Sequence, residues 1–215
     1  RIHLSQLKGY KVAVDANLYI FKHLYGKSNC IDGIFFMINK FLKFNITPIF
    51  IFDGSIPNEK THTINQRKLN KDKIKHRILE LRAYKEVIIK NSIKDDEINE
   101  DKIEKINDEI NSLENRLVYV NNDIFDKIKE LLRLMNIKYN DNTNCESEQY
   151  CSKLCKIGIV DAVVSDDTDT LACGSKYVIR NFTNKDDYVD IYRLDKILGL
   201  LELDMDQFID MCILL

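Results

Sequence analysis

The stretch "GIVDAVVSDDTD", Gly158 to Asp169, decides the fold. Its apolar residues Ala162, Val163 and Val164 run into Asp166, Asp167 and Asp169, three carboxylates within four positions. Like charges crowded at the end of a buried strand repel one another, and burying them without a counter-charge costs more still. Something must compensate them. The same design occurs twice upstream. In "YKVAVDANLYIF" the run Val12 to Val14 reaches Asp15 and then a segment that reads as helix. In "ITPIFIFDGSIP" the run Ile49 to Phe52 ends at Asp53, with Gly54 and Pro57 breaking the pattern. Helical patterns lie between these runs, at Ile31 to Phe44 and Ile124 to Asn136. That alternation predicts an α/β fold with a largely parallel central sheet flanked by helices. "KYVIRNFT" and "DYVDIYRL" read as two shorter strands, followed by helices at Leu194 to Leu200 and Met205 to Leu215.

In parallel sheets, ligands bind beyond the carboxyl ends of the strands. A single Asp there is ordinarily a helix cap or a turn residue; an Asp at all three ends points to a shared acidic site. "NCESEQYCSKL" adds Glu146 and Glu148 at the start of a helix that leads into the third strand. A helix dipole favours acids in a first turn, which explains many such residues. Here the helix start can face the same edge as Asp167 and Asp169, giving six carboxylates with Asp15 and Asp53 and no nearby His or Cys cluster. Hard divalent cations take oxygen ligands, Mg²⁺ through a few carboxylates, waters and substrate phosphates. Six acids suit two ions about 4 Å apart, the arrangement that cleaves phosphodiesters.

The region from Ser55 to Asn121 differs. Ile74, Ile78, Leu81 and Ile88, then Ile103, Ile106, Ile110, Leu113 and Leu117, recur at helical steps on either side of the polar, breaker-like "KNSIKDDEINED". Two helices in an antiparallel hairpin or arch are expected, inserted after the second strand; a coiled-coil-like interaction arm is the other reading. Lys60 to Lys90 holds ten Lys and Arg against three acids, and Asn91 to Asn115 three Lys against nine acids. The basic part can meet phosphate, or the two faces can simply pair. Lys60 and Arg67 lie two helical turns apart on one face, placed to hold a scissile phosphate. Lys68 and Lys71 continue a basic track suited to a polyanion.

The formal net charge of -2 hides this segregation and excludes little by itself. Six cysteines without C-x-x-C spacing favour reduced thiols inside the cell, although Cys145, Cys151 and Cys155 could gather zinc. No run approaches the roughly 20 apolar residues of a membrane span, so no membrane partner is expected. The start at Arg1 and the uncapped apolar end "DQFIDMCILL" suggest a fragment of a longer protein.

"KVAVDANLYIF", "ITPIFIFDGSIPNEK" and "CESEQYCSKLCKIGIVDAVVSDDTDTLACGS" resemble, in order, the N-terminal and internal nuclease regions of flap endonucleases and their XPG-type relatives, including exonuclease 1. The resemblance implies a PIN-like 5′ nuclease fold over 1–215 with an arch at about 55–121, lacking the family's C-terminal duplex-binding motif, its seventh acid and its extreme N-terminal segment. It implies a structure-specific 5′ nuclease acting on 5′-flap or branched DNA in replication, repair or recombination, with two Mg²⁺ or Mn²⁺ ions. Asp15, Asp53, Glu146, Glu148, Asp167 and Asp169 match its metal ligands, Lys60 and Arg67 its catalytic arch pair, and Phe21 an aromatic residue that stacks on a base. Asp166 stands where the family has an acid that is not a usual ligand. A nuclear or other replication-site location and a sliding-clamp partner contacted outside this chain belong to the same expectation, with weak or no cutting by this chain alone. The alternatives are an RNA-cutting nuclease of the same fold and a non-catalytic nucleic-acid-binding or scaffold module, the latter opposed by the retention of all six acids.

Overall fold

A strand in the middle of a parallel sheet is covered on both faces by helices, so its residues are apolar without alternation. Val12, Ala13 and Val14 obey that rule and are fully buried. The computed structural model describes residues 1–26, 29–54, 61–95, 100–116, 122–141 and 144–214, with side chains at 61–65, 67–68, 91–95, 100, 115–116 and 122 left undescribed. Its elements are β1 (Ile2–His3), a short 3-10 helix (Leu4–Leu7), β2 (Lys11–Asp15), α1 (Ala16–Tyr25), α2 (Cys30–Lys43), β3 (Thr47–Ile51), α3 (Thr61–Asp95), α4 (Glu100–Arg116), α5 (Asn122–Leu134), β4 (Lys138–Asn140), α6 (Ser147–Lys156), β5 (Ala162–Val164), α7 (Asp169–Ala172), β6 (Tyr177–Arg180), β7 (Tyr188–Arg193), α8 (Leu194–Leu201) and α9 (Met205–Leu214).

The sheet has seven strands in the order β1-β7-β6-β5-β2-β3-β4. β4, β3, β2, β5 and β6 run parallel, while β7 and β1 close one edge antiparallel. From β2 the chain moves outward to β3 and β4, then returns across β2 to β5. The direction of winding therefore reverses between β2 and β5, and in such sheets ligands bind at the carboxyl ends beside that reversal.

Alternate residues face opposite sides of the sheet. Val12, Val14, Phe50, Ala162 and Val164 pack against Tyr19, Ile34, Phe41, Ile128 and Leu132 of α1, α2 and α5. Ala13, Ile51 and Val163 meet Cys151, Leu154 and Cys155 of α6 on the other side. Phe41 and Phe182 stack with ring centroids 3.9 Å apart, both fully buried. Truncating Phe41 to Ala would cost about 3–5 kcal/mol.

Two strands are launched by the same local device. α2 ends before Asn45 (φ 55) and α5 before Asn136 (φ 55), both in the left-handed region that Asn tolerates. The following amides reach back, Ile46 to the Phe41 carbonyl at 2.9 Å and Ile137 to the Leu132 carbonyl at 2.8 Å. These bonds satisfy carbonyls at each helix end and turn the chain into β3 and β4.

Residues Pro57–Val120 form a second compact unit. Within it Ile78 and Leu81 of α3 pack on Ile106 and Ile110 of α4, flanked by Ile74, Ile88 and Leu113. These are the expected apolar stripes; Leu117 lies outside the described residues. The break is shorter than "KNSIKDDEINED" suggests, since α3 continues to Asp95. Lys, Asn, Ser, Ile and Asp lower helix propensity only modestly, and no Gly or Pro stops the helix there. No helix among the described residues is long and apolar enough to cross a membrane.

Candidate metal and active centre

Asp15 is both the last residue of β2 and the N-cap of α1. Its Oδ1 accepts the Leu18 amide at 3.1 Å, the bond any capping Asp makes, and also the Ser147 hydroxyl at 2.8 Å. Asp15 is only 5% exposed. Burial pushes its carboxyl up to about 6 against those two hydrogen bonds, and the charges of Asp53 and Asp167 add to the rise.

Asp53 follows β3 and is exposed. Its Oδ1 accepts the Ser147 amide at 2.9 Å and its Oδ2 the Asn17 side-chain amide at 2.6 Å. The Asp53 amide donates back to Asn17 Oδ1 at 3.2 Å. Ser147 thus bridges two strand ends, its hydroxyl on Asp15 and its backbone on Asp53. It can do so because it is the first residue of α6, where amides have no intrahelical partner.

Glu146 is the N-cap of α6 and Glu148 lies in its first turn. Burial pushes Glu148 up to about 8, helped by a hydrogen bond to the Glu146 carboxyl and by the charges of Asp167, Glu146 and Asp15. Like charge beside a half-buried carboxyl favours its protonated form, so Glu148 is the acid of this pair that burial and its neighbours work on.

Beyond β5, the Asp167 amide donates to Ser165 Oγ at 3.1 Å and the Asp169 amide to Asp167 Oδ1 at 3.0 Å. This tight turn presents Asp167 and Asp169 on the crevice side, where one oxygen from each and one from Glu148 lie within 4.8 Å of one another. The structure therefore brings all six carboxylates into one electrostatic neighbourhood at the reversal between β2 and β5.

The donor set fits a hard divalent cation. Every candidate ligand is a carboxylate oxygen, and among the described residues no Lys or Arg pairs with Asp15, Glu148, Asp167 or Asp169. Neutral donors hold Asp15 and Asp53 in place without cancelling their charge, which leaves that charge to a cation. Cys151 lies beneath the site, fully buried, its thiol pushed up by burial and then by Asp15 and Asp53. Cys145, Cys151 and Cys155 form no metal-binding group among the described residues.

Asp166 stands apart from the cluster, accepting Lys22 Nζ at 2.5 Å and the Asn181 amide at 2.7 Å. Phe21 is half-buried, with ring contacts to Tyr25 at 6.5 Å and Phe125 at 6.4 Å. Lys60 lies outside the described residues; Arg67 and Lys68 lie on α3 with undescribed side chains, and Lys71 is on the same helix.

Sequence reasoning passed over Ser147 and Asn17. The signal for Ser147 was its place inside "ESE", where neighbours at a helix start point in different directions. Asn17 sits two residues after Asp15 in "DAN", and nothing local marks it as a partner of Asp53.

Residues 1–74 match the XPG N-terminal domain and residues 136–215 the XPG I-region. Flap endonuclease 1 of Enterocytozoon bieneusi (strain H348) is 32% identical over 229 residues, covering 99% of this chain and 58% of that protein. The catalytic core of Rad2 in complex with a DNA substrate superposes with a TM-score of 0.67 at 27% identity, over 96% of this chain and 54% of that one. Flap endonuclease-1 from Methanococcus jannaschii gives a TM-score of 0.65 at 27% identity, over 97% and 64%. The chain spans a little over half the length of the flap endonuclease it matches in sequence. Two XPG regions in order, on a sheet that superposes with these nucleases, mean that the chain belongs to the flap endonuclease and XPG family.

Proposed function

We infer that this chain is the core, 1–215, of a divalent-metal-dependent, structure-specific 5′ nuclease that hydrolyses a phosphodiester at 5′-flap or branched DNA, with 55–121 as its arch. The observation that supports this is the grouping of Glu148, Asp167 and Asp169 within 4.8 Å, beside Asp15 and Asp53 at the ends of β2 and β3, which neutral donors hold. Asp15, Asp53, Glu146, Glu148, Asp167 and Asp169 would hold two Mg²⁺ or Mn²⁺ ions. When bound, such ions lower the pKa of an attacking water and stabilise the charge of a leaving oxygen.

Ser147 and Asn17 fix Asp15 and Asp53 before loading, so little reordering of these side chains is needed. Glu148, whose carboxyl burial pushes up to about 8, would give up its proton as the site loads. Lys60 and Arg67 serve the scissile phosphate, Lys68 and Lys71 the flanking backbone, and Phe21 a stacked base. RNA of matching branch structure and a sliding clamp are further partners of this reading, and a nucleus or other site of DNA replication is its location.

The test is cleavage of a 5′-flap duplex by the full-length protein. Asp167→Asn should lower the rate by at least about a hundredfold while flap binding in Ca²⁺ persists. Parental cleavage by Asp167→Asn would refute the ligand assignment. A wild-type protein that neither binds Mg²⁺ or Mn²⁺ by calorimetry nor cuts would favour a non-catalytic module.

A further inference from the structure

Next to the acidic cluster, and sharing Asp167 with it, lies a cleft that also holds two cations; it is lined by Leu18, Lys22, Asp166, Asp167, Arg180 and Asn181 among others. Lys22, on α1, projects to Asp166 at 2.5 Å, with 42% of its side chain exposed. Asp166 is fixed from its other oxygen by the Asn181 amide at 2.7 Å. Lys22 pairs with Asp166, while Arg180, at the end of β6, makes no ion pair among the described residues.

Arg180 is unusual in detail. Its Nε is buried and has no hydrogen-bond partner. Its guanidinium lies 5.6 Å from the centroid of the Tyr192 ring, which constrains it without using a donor. The fully buried Tyr19 hydroxyl, close enough to feel both Asp166 and Arg180, also lacks a partner. The buried Nε is out of reach of a ligand, but Arg180 lines the cleft and has no ion-pair partner among the described residues, which leaves the rest of its guanidinium fork to an acceptor that enters the cleft.

We propose that Lys22 and Arg180 form a phosphate-binding subsite at the flank of the acidic centre, taking a backbone phosphate of the nucleic acid next to the one that is cut. Asp166 is its positioning residue, holding Lys22 at the rim instead of letting it collapse onto Asp167. The subsite solves a problem of approach. A polyanion brought to a cluster of carboxylates is repelled until cations are in place, and a fixed Lys and Arg beside Asp167 offset that repulsion at one phosphate. It also gives a reason for three acids in "SDDTD": two for the centre and one for the cation next to it. The inference rests on the nuclease reading above.

The test uses the full-length protein and a fluorescein-labelled 5′-flap duplex. Binding is measured in Ca²⁺ across a salt series, cleavage in Mg²⁺, and metal affinity by Mg²⁺ calorimetry. Lys22→Gln and Arg180→Gln should each weaken binding about tenfold, raising KM more than they lower kcat. Each should reduce the slope of log affinity against log salt by about 0.9, the loss of one phosphate contact, with Mg²⁺ affinity unchanged. Lys22→Arg and Arg180→Lys should restore the slope. A merely structural role would lower Tm without changing the slope, which would overturn the subsite; so would variants that bind and cut like the parent. If the wild-type protein itself neither bound Mg²⁺ nor cut, the nuclease reading would fail instead.

Discussion

The sheet edge and the helix pair α3–α4 are both dense in charge, and they treat it in opposite ways. Across the helices, Arg77 meets Glu109 at 3.1 Å and Arg82 meets Glu114 at 2.6 Å, all largely exposed. Basic and acidic stretches twenty or more residues apart are matched pair by pair over the Ile and Leu stripe. At the sheet edge, acids are gathered with acids, and hydroxyl and amide donors hold them. Paired surface charge is inexpensive and carries little stability. Like charge assembled on a buried frame is costly, and a fold keeps it where a cation repays the cost.

The strongest way to break this contrast is at Ser147. Ser147→Ala removes the hydroxyl from Asp15 but keeps the backbone amide on Asp53. Mg²⁺ affinity by calorimetry should fall about 10- to 100-fold, as when a supporting group behind a metal ligand is removed. An unchanged affinity would show that the acids need no positioning.

A smaller effect is expected from pH. Asp15 and Glu148 keep their protons in the folded, metal-free chain up to about 6 and about 8, against roughly 4 for exposed carboxyls. The folded state thus binds more protons than the unfolded one between those limits, and these groups' contribution to stability falls as pH rises through them. Mg²⁺ displaces those protons, so the rise in Tm that it produces should be larger at pH 8 than at pH 6. Melting curves in EDTA and in Mg²⁺ at both values decide it; an equal rise would mean that these carboxyls are already ionised.

The smallest effect belongs to the helix pair. Arg77→Ala should cost no more than about 1 kcal/mol and leave Mg²⁺ affinity untouched. A large loss of metal binding would show that the pairing on α3 and α4 serves the centre as well.

Much of this was legible in the sequence. β2, β3 and β5 read as strands because strands buried on both faces cannot hide a polar residue, so an Asp at their ends stands out. The helices read through their apolar stripes. β4 was missed because Lys138–Asn140 is three residues long and no more than half buried, too short for a period to show. Ser147 and Asn17 were missed for a different reason: their importance lies in partners far away in sequence, 132 positions in the case of Ser147 and Asp15. Lys22 and Asp166, 144 apart, are the same case.

One residue's position in α6 carries a further consequence. If that helix began one residue earlier or later, a glutamate would stand where Ser147 now touches Asp15 and Asp53, and a donor would become a third negative charge. The triplet "ESE" is therefore a phase mark as much as a pair of acids. Any change in the connection from β4 to α6 would keep these contacts only if the helix still started with serine facing the strands and a glutamate on either side.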